Sequence, residues 1–290
     1  MSLTKKSIRE KAGELGIDLA GFTSWQDLEP FAHDYDKPSN QSTHLGTLIV
    51  LARRILVGVS TAKDRALQQY ALGRTLQRLE EDAVRLAFWL EEQDVMAAVL
   101  STLVPDPRTQ PRGFASPAAQ GSYLIRQGAV RAGLGSLGMN TMLLTPQFGP
   151  RVFLAGLLTD LEIEADAPFT EELCPGLEAC GRCAKACPVG AIPLVAPPAA
   201  VLSDYRDIDA EACARECQPY GSQAFVEHLK MIAQAGSPEE RARAARDTAT
   251  QQFHHSMTIL RQGAFTGCMR CEVVCPIGAD YPKIEKRLED

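Results

Sequence analysis

The sequence has no excess of positive charge. Its 290 residues include 30 Lys and Arg against 36 Asp and Glu, which gives a formal net charge of −6. Broad binding to nucleic acid normally needs a basic face on the protein. The charge balance therefore argues against a nucleic-acid partner.

Long hydrophobic runs are also missing. The most apolar early stretch, LGTLIVLARRILVGVS, is interrupted by Arg53 and Arg54, far short of the ~20 residues that span a bilayer as a helix. The N-terminal region shows no signal-peptide core, cleavage site or twin-arginine pattern. We therefore expect no membrane partner and a cytoplasmic location. Because that compartment keeps thiols reduced, the nine cysteines favour metal ligands over disulfides.

Several common catalytic patterns are absent. The sequence holds no Ser-His-Asp set, no P-loop and no H-E-x-x-H pair. The sequence therefore gives no evidence for a serine hydrolase, a P-loop nucleotidase or a zinc peptidase. The chemistry must be sought in the cysteines.

The cysteines form a duplicated motif. CGRCAKACPVGA (180–191) and GCMRCEVVCPIGA (267–279) share the pattern C-x-x-C-x-x-x-C-P. A 4Fe–4S cube needs four converging thiolates, and in two-cluster ferredoxins the cysteine before proline reaches over to the other cube. Zinc ribbons also pair C-x-x-C units, but they do not require a third cysteine before proline in both copies. The motif favours two 4Fe–4S clusters, with zinc as the main rival.

The two-cluster pattern predicts two sets of ligands. The first set is Cys174, Cys180, Cys183 and Cys275. The second set is Cys187, Cys268, Cys271 and Cys213. The fourth ligand of the second set is open between Cys213 and Cys217. We prefer Cys213, which leaves one cysteine over.

Helix and strand patterns alternate along the first part of the chain. Leucines recur at three- and four-residue spacings over 64–93 and predict a long helix, while strands are expected at 17–22, 47–59, 95–105, 141–146 and 151–160. Beyond this part, cysteine, proline and alanine dominate. The pattern predicts an α/β domain at 1–168 and a cysteine-rich module at 169–290. A helical insert is expected at about 218–262, with Ser237 as an N-cap before Pro238.

A glycine-rich loop precedes the cysteine module. RAGLGSLGMNTMLLTPQFGPRVFLAGLLTD (131–160) contains G-x-G-x-x-G at Gly133, Gly135 and Gly138. Alone this is a weak dinucleotide motif, because no convincing strand precedes it. Followed by the double-cluster module, it resembles the cobalamin-dependent iron–sulfur reductases, which include epoxyqueuosine reductases and reductive dehalogenases. The resemblance covers about 120–192 and 265–280.

The resemblance implies a fold and a second cofactor. The fold would be a nitroreductase-like α/β sandwich followed by a bacterial-ferredoxin-like module with two 4Fe–4S clusters. Cobalamin would bind base-off over the glycine loop, and the absence of a D-x-H-x-x-G motif agrees with that. Arg151 is among the residues implied in cofactor binding, but it could pair with a carboxylate such as Asp160 instead. The residues implied in cofactor binding are Gly133, Leu134, Gly135, Ser136, Gly138, Asn140 and Arg151.

The proton donor departs from the family pattern. Epoxyqueuosine reductases carry an acid thirteen residues before A-G-L-G, where this sequence has Ala119. Tyr123 is our candidate for the catalytic acid, although a structural role for this tyrosine stays open. We expect a reductase of a small electrophilic substrate such as an epoxide or a halide, supplied by a low-potential donor of the ferredoxin or flavodoxin type. The alternative is a two-cluster electron-transfer or corrinoid-handling protein without a substrate of its own.

Overall fold

The computed structural model describes residues 3–32, 37–41, 44–100, 123–194, 208–217, 222–248, 250–251 and 268–288. These residues form a mixed α/β fold in which a sheet lies between helices and a helical, cysteine-bearing module follows. The interleaved helices and strands predicted for the first part of the chain are confirmed.

The sheet has four strands in the order β1-β2-β6-β3, and every neighbouring pair is antiparallel. Two further strands, β4 and β5, pair with each other in a separate ribbon. β2 and β6 are inner strands, which explains their nearly continuous apolar sequences. The strands are β1 (Leu19–Ser24), β2 (Thr47–Arg54), β3 (Ala97–Leu100), β4 (Ser136–Leu137), β5 (Leu143–Leu144) and β6 (Val152–Thr159).

Helices cover both faces of the sheet. On one face α1 (Lys5–Glu14) and α4 (Arg65–Glu91) bury their apolar stripes against alternate residues of the strands. On the other face α5 (Tyr123–Arg131) packs against the remaining strand residues. Burial of these two apolar layers supplies the main stabilisation of the domain. The prediction of a long helix over 64–93 is confirmed by α4.

The remaining helices are short. α2 (Pro38–Gln41), α3 (Val57–Ser60) and a 3₁₀ turn (Gln26–Phe31) belong to the first part of the chain. The cysteine module contributes α6 (Gly176–Ala179), α7 (Arg182–Ala186), α8 (Ala210–Cys217), α9 (Ser222–Gln234), α10 (Pro238–Arg246), α11 (Arg270–Val273) and α12 (Tyr281–Leu288). Ser237 caps α10 through a reciprocal capping box with Glu240, as the sequence predicts.

A third apolar core joins the module to the α/β part. Ile55, Val59 and Leu72 of the first part pack with Met269, Val273, Tyr281 and Ile284 of the second. The second copy of the cysteine motif is therefore seated on α3 and α4 by buried apolar area.

The predicted strand 47–59 is too long. β2 ends at Arg54, and α3 begins at Val57 after Ile55 donates its N–H to the Arg151 carbonyl oxygen at 2.8 Å. Arg53 lies in an inner strand rather than an edge, and its Nη1 donates to the buried Asp82 carboxylate at 2.7 Å. The arginine that interrupts the apolar run thus serves a buried ion pair.

No helix in the described ranges combines the length and the apolar character needed to cross a membrane.

Candidate iron–sulfur site and glycine loop

The first predicted set of cysteines meets at one small cavity. Cys174, Cys180, Cys183 and Cys275 all line it, together with Asn140 and Met139 of the glycine loop. Gly181 lies between Cys180 and Cys183 in the chain, and its left-handed φ of 59° allows the turn between α6 and α7. The four thiols of the predicted set thus lie around one cavity, although they are up to 101 positions apart in the chain (174 and 275).

The electrostatics of this set suit a metal cluster. Burial and the neighbouring sulfurs of Cys174, Cys275 and Cys180 raise the pKa of Cys183 to about 11. Four thiolates cannot share one pocket without a cation, because each disfavours ionisation of the others. Bound iron would supply that positive charge and hold the sulfurs as thiolates. The residues present fit a 4Fe–4S cube.

A second group of cysteines lies around α8. Cys213 and Cys217 are one helical turn apart, with 3.6 Å between their sulfur atoms. The hydrogen bond that Cys217 donates lowers the pKa of Cys213. The pKa of Cys217 is raised by this hydrogen bond and by a second one with Cys268. Burial raises the pKa of Cys271, and repulsion from Glu272, Cys213 and Cys268 adds to it. Three predicted ligands of the second set therefore share one neighbourhood.

The contacts of Cys217 and Cys187 leave the ligand set of the second cube open. Cys217 hydrogen-bonds with Cys268, and it lies on the same side of α8 as Cys213 because the two are four residues apart on the helix. The sulfur of Cys187 accepts a hydrogen bond from the Ala191 N–H at 3.2 Å. Its membership of the second set stays a prediction. Among the described residues no three side chains are already arranged as ligands around a single metal ion.

Arg151 has all five of its N–H donors inside the protein. It is fully buried, and Nε and Nη2 hold both oxygens of the Asp280 carboxylate at 3.0 and 2.6 Å. Nη1 donates to the carbonyl oxygens of Glu272 and Cys275 at 3.1 Å each, and Nη2 also donates to that of Ile277 at 2.6 Å. Arg151 thus clamps the loop that carries Cys275. Pairing with Asp160 is wrong, since Asp160 accepts from the Met96 N–H instead.

Asp280 and Glu272 are functional candidates that sequence reasoning missed. The Asp280 carboxylate accepts hydrogen bonds from Arg151, which lies 129 positions away in the chain. Glu272 is buried beside Cys271. Burial and the negative charge of Cys268 raise the pKa of Glu272 to about 8, with Arg151 and Arg126 opposing that rise. No local pattern links these residues, so only the tertiary structure could reveal them.

The glycine loop packs against the protein itself. A Cβ at Gly133 would meet the Ala167 carbonyl oxygen, one at Gly135 the backbone of Leu144, and one at Gly138 the side chain of Asn140. The N–H groups of Gly133, Leu134 and Gly138 donate to carbonyl oxygens of the chain. These glycines therefore allow close approach of backbone to backbone. A corrinoid contact through them stays a prediction.

The polar residues of the loop connect it to the cysteine module. Ser136 Oγ accepts from the N–H of Leu173, next to Cys174, at 3.0 Å. Asn140 Nδ2 donates to the Cys271 carbonyl oxygen at 3.5 Å. With Arg151, these side chains contact protein atoms, and their contact with a corrinoid stays a prediction. Tyr123 begins α5; its side chain and the Ala119 segment lie outside the described residues.

A larger cavity opens beside the second group of cysteines. It measures about 380 Å³ and is lined by Ser60, Lys63, Gln68, Cys268 and Arg270, among others. The hydroxyl of Ser60 is buried and has no hydrogen-bond partner within the part of the chain that the structure describes. A buried polar group without a partner is costly. The cavity therefore offers a polar contact to a molecule bound next to Cys268.

Replacing Gly135 with alanine tests the packing role of the loop. The added Cβ would clash with the Leu144 backbone, so we expect a loss of about 1–3 kcal/mol in the free energy of unfolding. Gly73 in α4 has nothing near its Cβ position, and its change to alanine should stabilise by about 0.5–1 kcal/mol. Urea unfolding of the cofactor-free proteins measures both, and equal effects of the two changes would contradict the packing role.

Comparison with known proteins agrees with this geometry. The chain is 45% identical over 204 residues to the epoxyqueuosine reductase of Cyclobacterium marinum, covering 64% of the chain and 62% of that protein. Over 79 residues it is 40% identical to the tetrachloroethene reductive dehalogenase of Dehalobacter restrictus, covering 27% of the chain and 14% of that protein. These similarities support a place for the chain in the cobalamin-dependent iron–sulfur reductase superfamily.

Solved structures support the same fold. A crystal structure of epoxyqueuosine reductase matches 94% of the chain and 65% of its own length, with a TM-score of 0.53 and 19% identity. The chain spans about half the length of some curated relatives, such as 51% of the Bacillus subtilis epoxyqueuosine reductase. No protein-family model matches the chain.

Proposed function

We propose that this protein is a reductase that carries electrons through two 4Fe–4S clusters to a small electrophilic substrate. The observation that carries the proposal is the convergence of the four cysteines of the first set on one cavity, where thiolates would be unstable without iron. The relatives named as reductases support the general class of activity.

For the cluster module we retain the ligands expected from the motif. The first cube takes Cys174, Cys180, Cys183 and Cys275, and the second takes Cys187, Cys213, Cys268 and Cys271. Cys213 is preferred to Cys217 because its charge raises the pKa of Cys271, whereas Cys217 contacts Cys268. We propose a ferredoxin-like module at 169–290 with a helical insert at about 218–262, following a nitroreductase-like domain at 1–168.

A corrinoid is the proposed second cofactor, on the strength of the superfamily. When bound, cobalamin supplies a low-valent metal centre that can reduce an electrophilic carbon. The proposed corrinoid contacts are the residues that the resemblance implies, namely Gly133, Leu134, Gly135, Ser136, Gly138, Asn140 and Arg151. Tyr123 remains our proposed proton donor.

A second function is favoured by the engagement of the loop. Because Arg151, Ser136 and Asn140 bond to protein atoms, the chain resembles a scaffold for clusters as much as a corrinoid pocket. A two-cluster electron-transfer or corrinoid-handling protein needs no substrate contact. It would reduce a partner instead of a small molecule.

The expectation that nucleic acid is an unlikely partner is now in doubt. One solved structure of the same fold, with a TM-score of 0.53 and 18% identity, is an epoxyqueuosine reductase with an epoxyqueuosine-modified tRNA stem loop. A nucleoside epoxide within RNA is therefore a candidate substrate class beside free epoxides and organohalides. The net charge of −6 means that such a partner would need a local basic surface.

Anaerobic purification tests the proposal directly. The protein is assayed for iron and sulfide and then titrated with cob(II)alamin while EPR spectra are recorded. About eight irons per chain, the content of two cubes, with a base-off cobalt signal would support the corrinoid reductase. About eight irons without any cobalamin binding would support the electron-transfer protein. Zinc in place of iron would overturn both.

A further inference from the structure

We propose that α7 and α12 form the docking surface for an acidic one-electron carrier protein, which delivers electrons to the cube held by Cys174, Cys180, Cys183 and Cys275. This inference rests on the proposed function, because it needs a cluster at that position. The carrier would be oxidised by one electron and the cube reduced by one, without any bond or proton being exchanged.

The charge of the two helices runs against that of the whole chain. α7 and α12 together carry Arg182, Lys185, Lys283, Lys286 and Arg287, against the single acid Glu285. The chain as a whole has a net charge of −6. All five basic side chains are exposed. We call these five residues the basic patch.

The basic patch reaches the first cysteine cavity through Arg182. Arg182 lines that cavity together with the four thiols, and Lys185 follows it one helical turn later on α7. Electron transfer slows steeply with distance, so a carrier must dock close to a cluster. The patch is placed where such a carrier would approach the first cube.

The two helices are held together as a preorganised surface. Arg182 Nη1 donates to the Tyr281 hydroxyl at 2.8 Å and to the Glu285 carboxylate at 3.4 Å. The Arg182 guanidinium also lies 5.9 Å from the centre of the Tyr281 ring. Buried Tyr281 and Ile284 fix α12 in the third core, so Lys283 and Lys286 face outward from a rigid base. The pairing of Glu285 with Arg182 leaves the surface positive.

An acidic carrier suits this surface better than the alternatives. Electron-transfer encounters have small interfaces and depend on electrostatic steering rather than buried area. Five exposed cations on α7 and α12, of which Arg182 lines the cysteine cavity, provide that steering without an apolar groove. An RNA partner would also be attracted by positive charge, but it gains nothing from lying at a cluster.

The experiment compares two charge-reversed holoproteins. One carries Lys185→Glu, Lys283→Glu and Lys286→Glu; the matched control carries Arg241→Glu, Arg243→Glu and Arg246→Glu on exposed α10, which packs on α9. The probe is an acidic plant-type [2Fe–2S] ferredoxin, reduced by light with deazaflavin. Stopped-flow absorbance under argon gives the rate at which the clusters oxidise it, across a range of salt concentrations.

We expect the patch variant to lose at least about tenfold in this rate at low salt, and to lose the salt dependence of the rate. The α10 control should stay within about twofold of the unchanged protein. Direct reduction by deazaflavin, a small molecule, should be equal in all three proteins.

Each contrary outcome identifies its own failure. A protein whose clusters deazaflavin cannot reduce overturns the proposed function and the docking surface together. Clusters that reduce normally, with equal ferredoxin rates in both variants, overturn the docking surface alone. Loss of affinity for a tRNA stem loop with an unchanged ferredoxin rate would make the patch a nucleic-acid surface and the inference wrong.

Discussion

Replacing Cys183 with alanine is expected to remove one cluster and leave the other. Cys183 is one of four thiols around the first cavity, and alanine offers no ligand to iron. We expect iron to fall from about eight to about four atoms per chain. The integrated EPR signal of the reduced protein should halve. Iron analysis of anaerobically reconstituted protein measures the first, and spin integration the second.

Two further alanine variants make this result specific. Cys217→Ala removes a thiol that lies outside both proposed sets, so the full content of iron should remain. Cys187→Ala should lose the second cube, and double replacement of Cys183 and Cys187 should leave almost no iron. If Cys217→Ala loses a cube while Cys187→Ala keeps both, the second cube is held by the four cysteines of α8 and α11 and its preceding loop, and our assignment is wrong.

Replacing Arg151 with methionine is expected to destabilise the protein by about 3–5 kcal/mol, the usual effect of breaking a buried ion pair from one side. Asp280 would be left as a nearly buried carboxylate, with a side-chain exposure of 14%. The carbonyl oxygens of Glu272, Cys275 and Ile277 would lose their donors as well. Urea unfolding of the cluster-free protein measures the loss.

The same change should loosen the first cluster, because Arg151 clamps the loop that carries Cys275. Iron should therefore be released faster to a chelator than from the unchanged protein. Arg151→Lys keeps the charge but has three donors on one nitrogen where the guanidinium has five in a fork, so it should recover only part of the stability.

Arg54 provides the matched control for Arg151. It is the last residue of β2 and pairs with Val152, the neighbour of Arg151 in the chain; its side chain is half exposed, and its Nε lies 3.7 Å from Asp18. Arg54→Met should change the free energy of unfolding by less than about 1 kcal/mol. An effect of Arg151→Met as small as that of Arg54→Met would show that the clamp does not hold the cysteine loop.

Local sequence pattern determined a large part of this molecule. The leucine spacing predicted α4, and the Ser237–Pro238 pair predicted the start of α10, because both depend on contacts within a few positions. The duplicated cysteine motif also predicted that Cys174 and Cys275 would meet. A ligand set encodes long-range proximity directly, since four thiolates must reach one cube whatever chain lies between them.

Only the tertiary structure decided what the glycine loop and Arg151 do. The loop has the spacing of a cofactor-binding motif, and Gly135 packs on the Leu144 backbone. Arg151 forms its ion pair with Asp280 rather than with Asp160. The partner of Arg151 does not follow from propensity or periodicity, because this contact depends on how the second cysteine motif packs on α3 and α4. The physical reason is that buried donors bond to whichever acceptors the fold brings near, and those acceptors leave no local trace in the sequence.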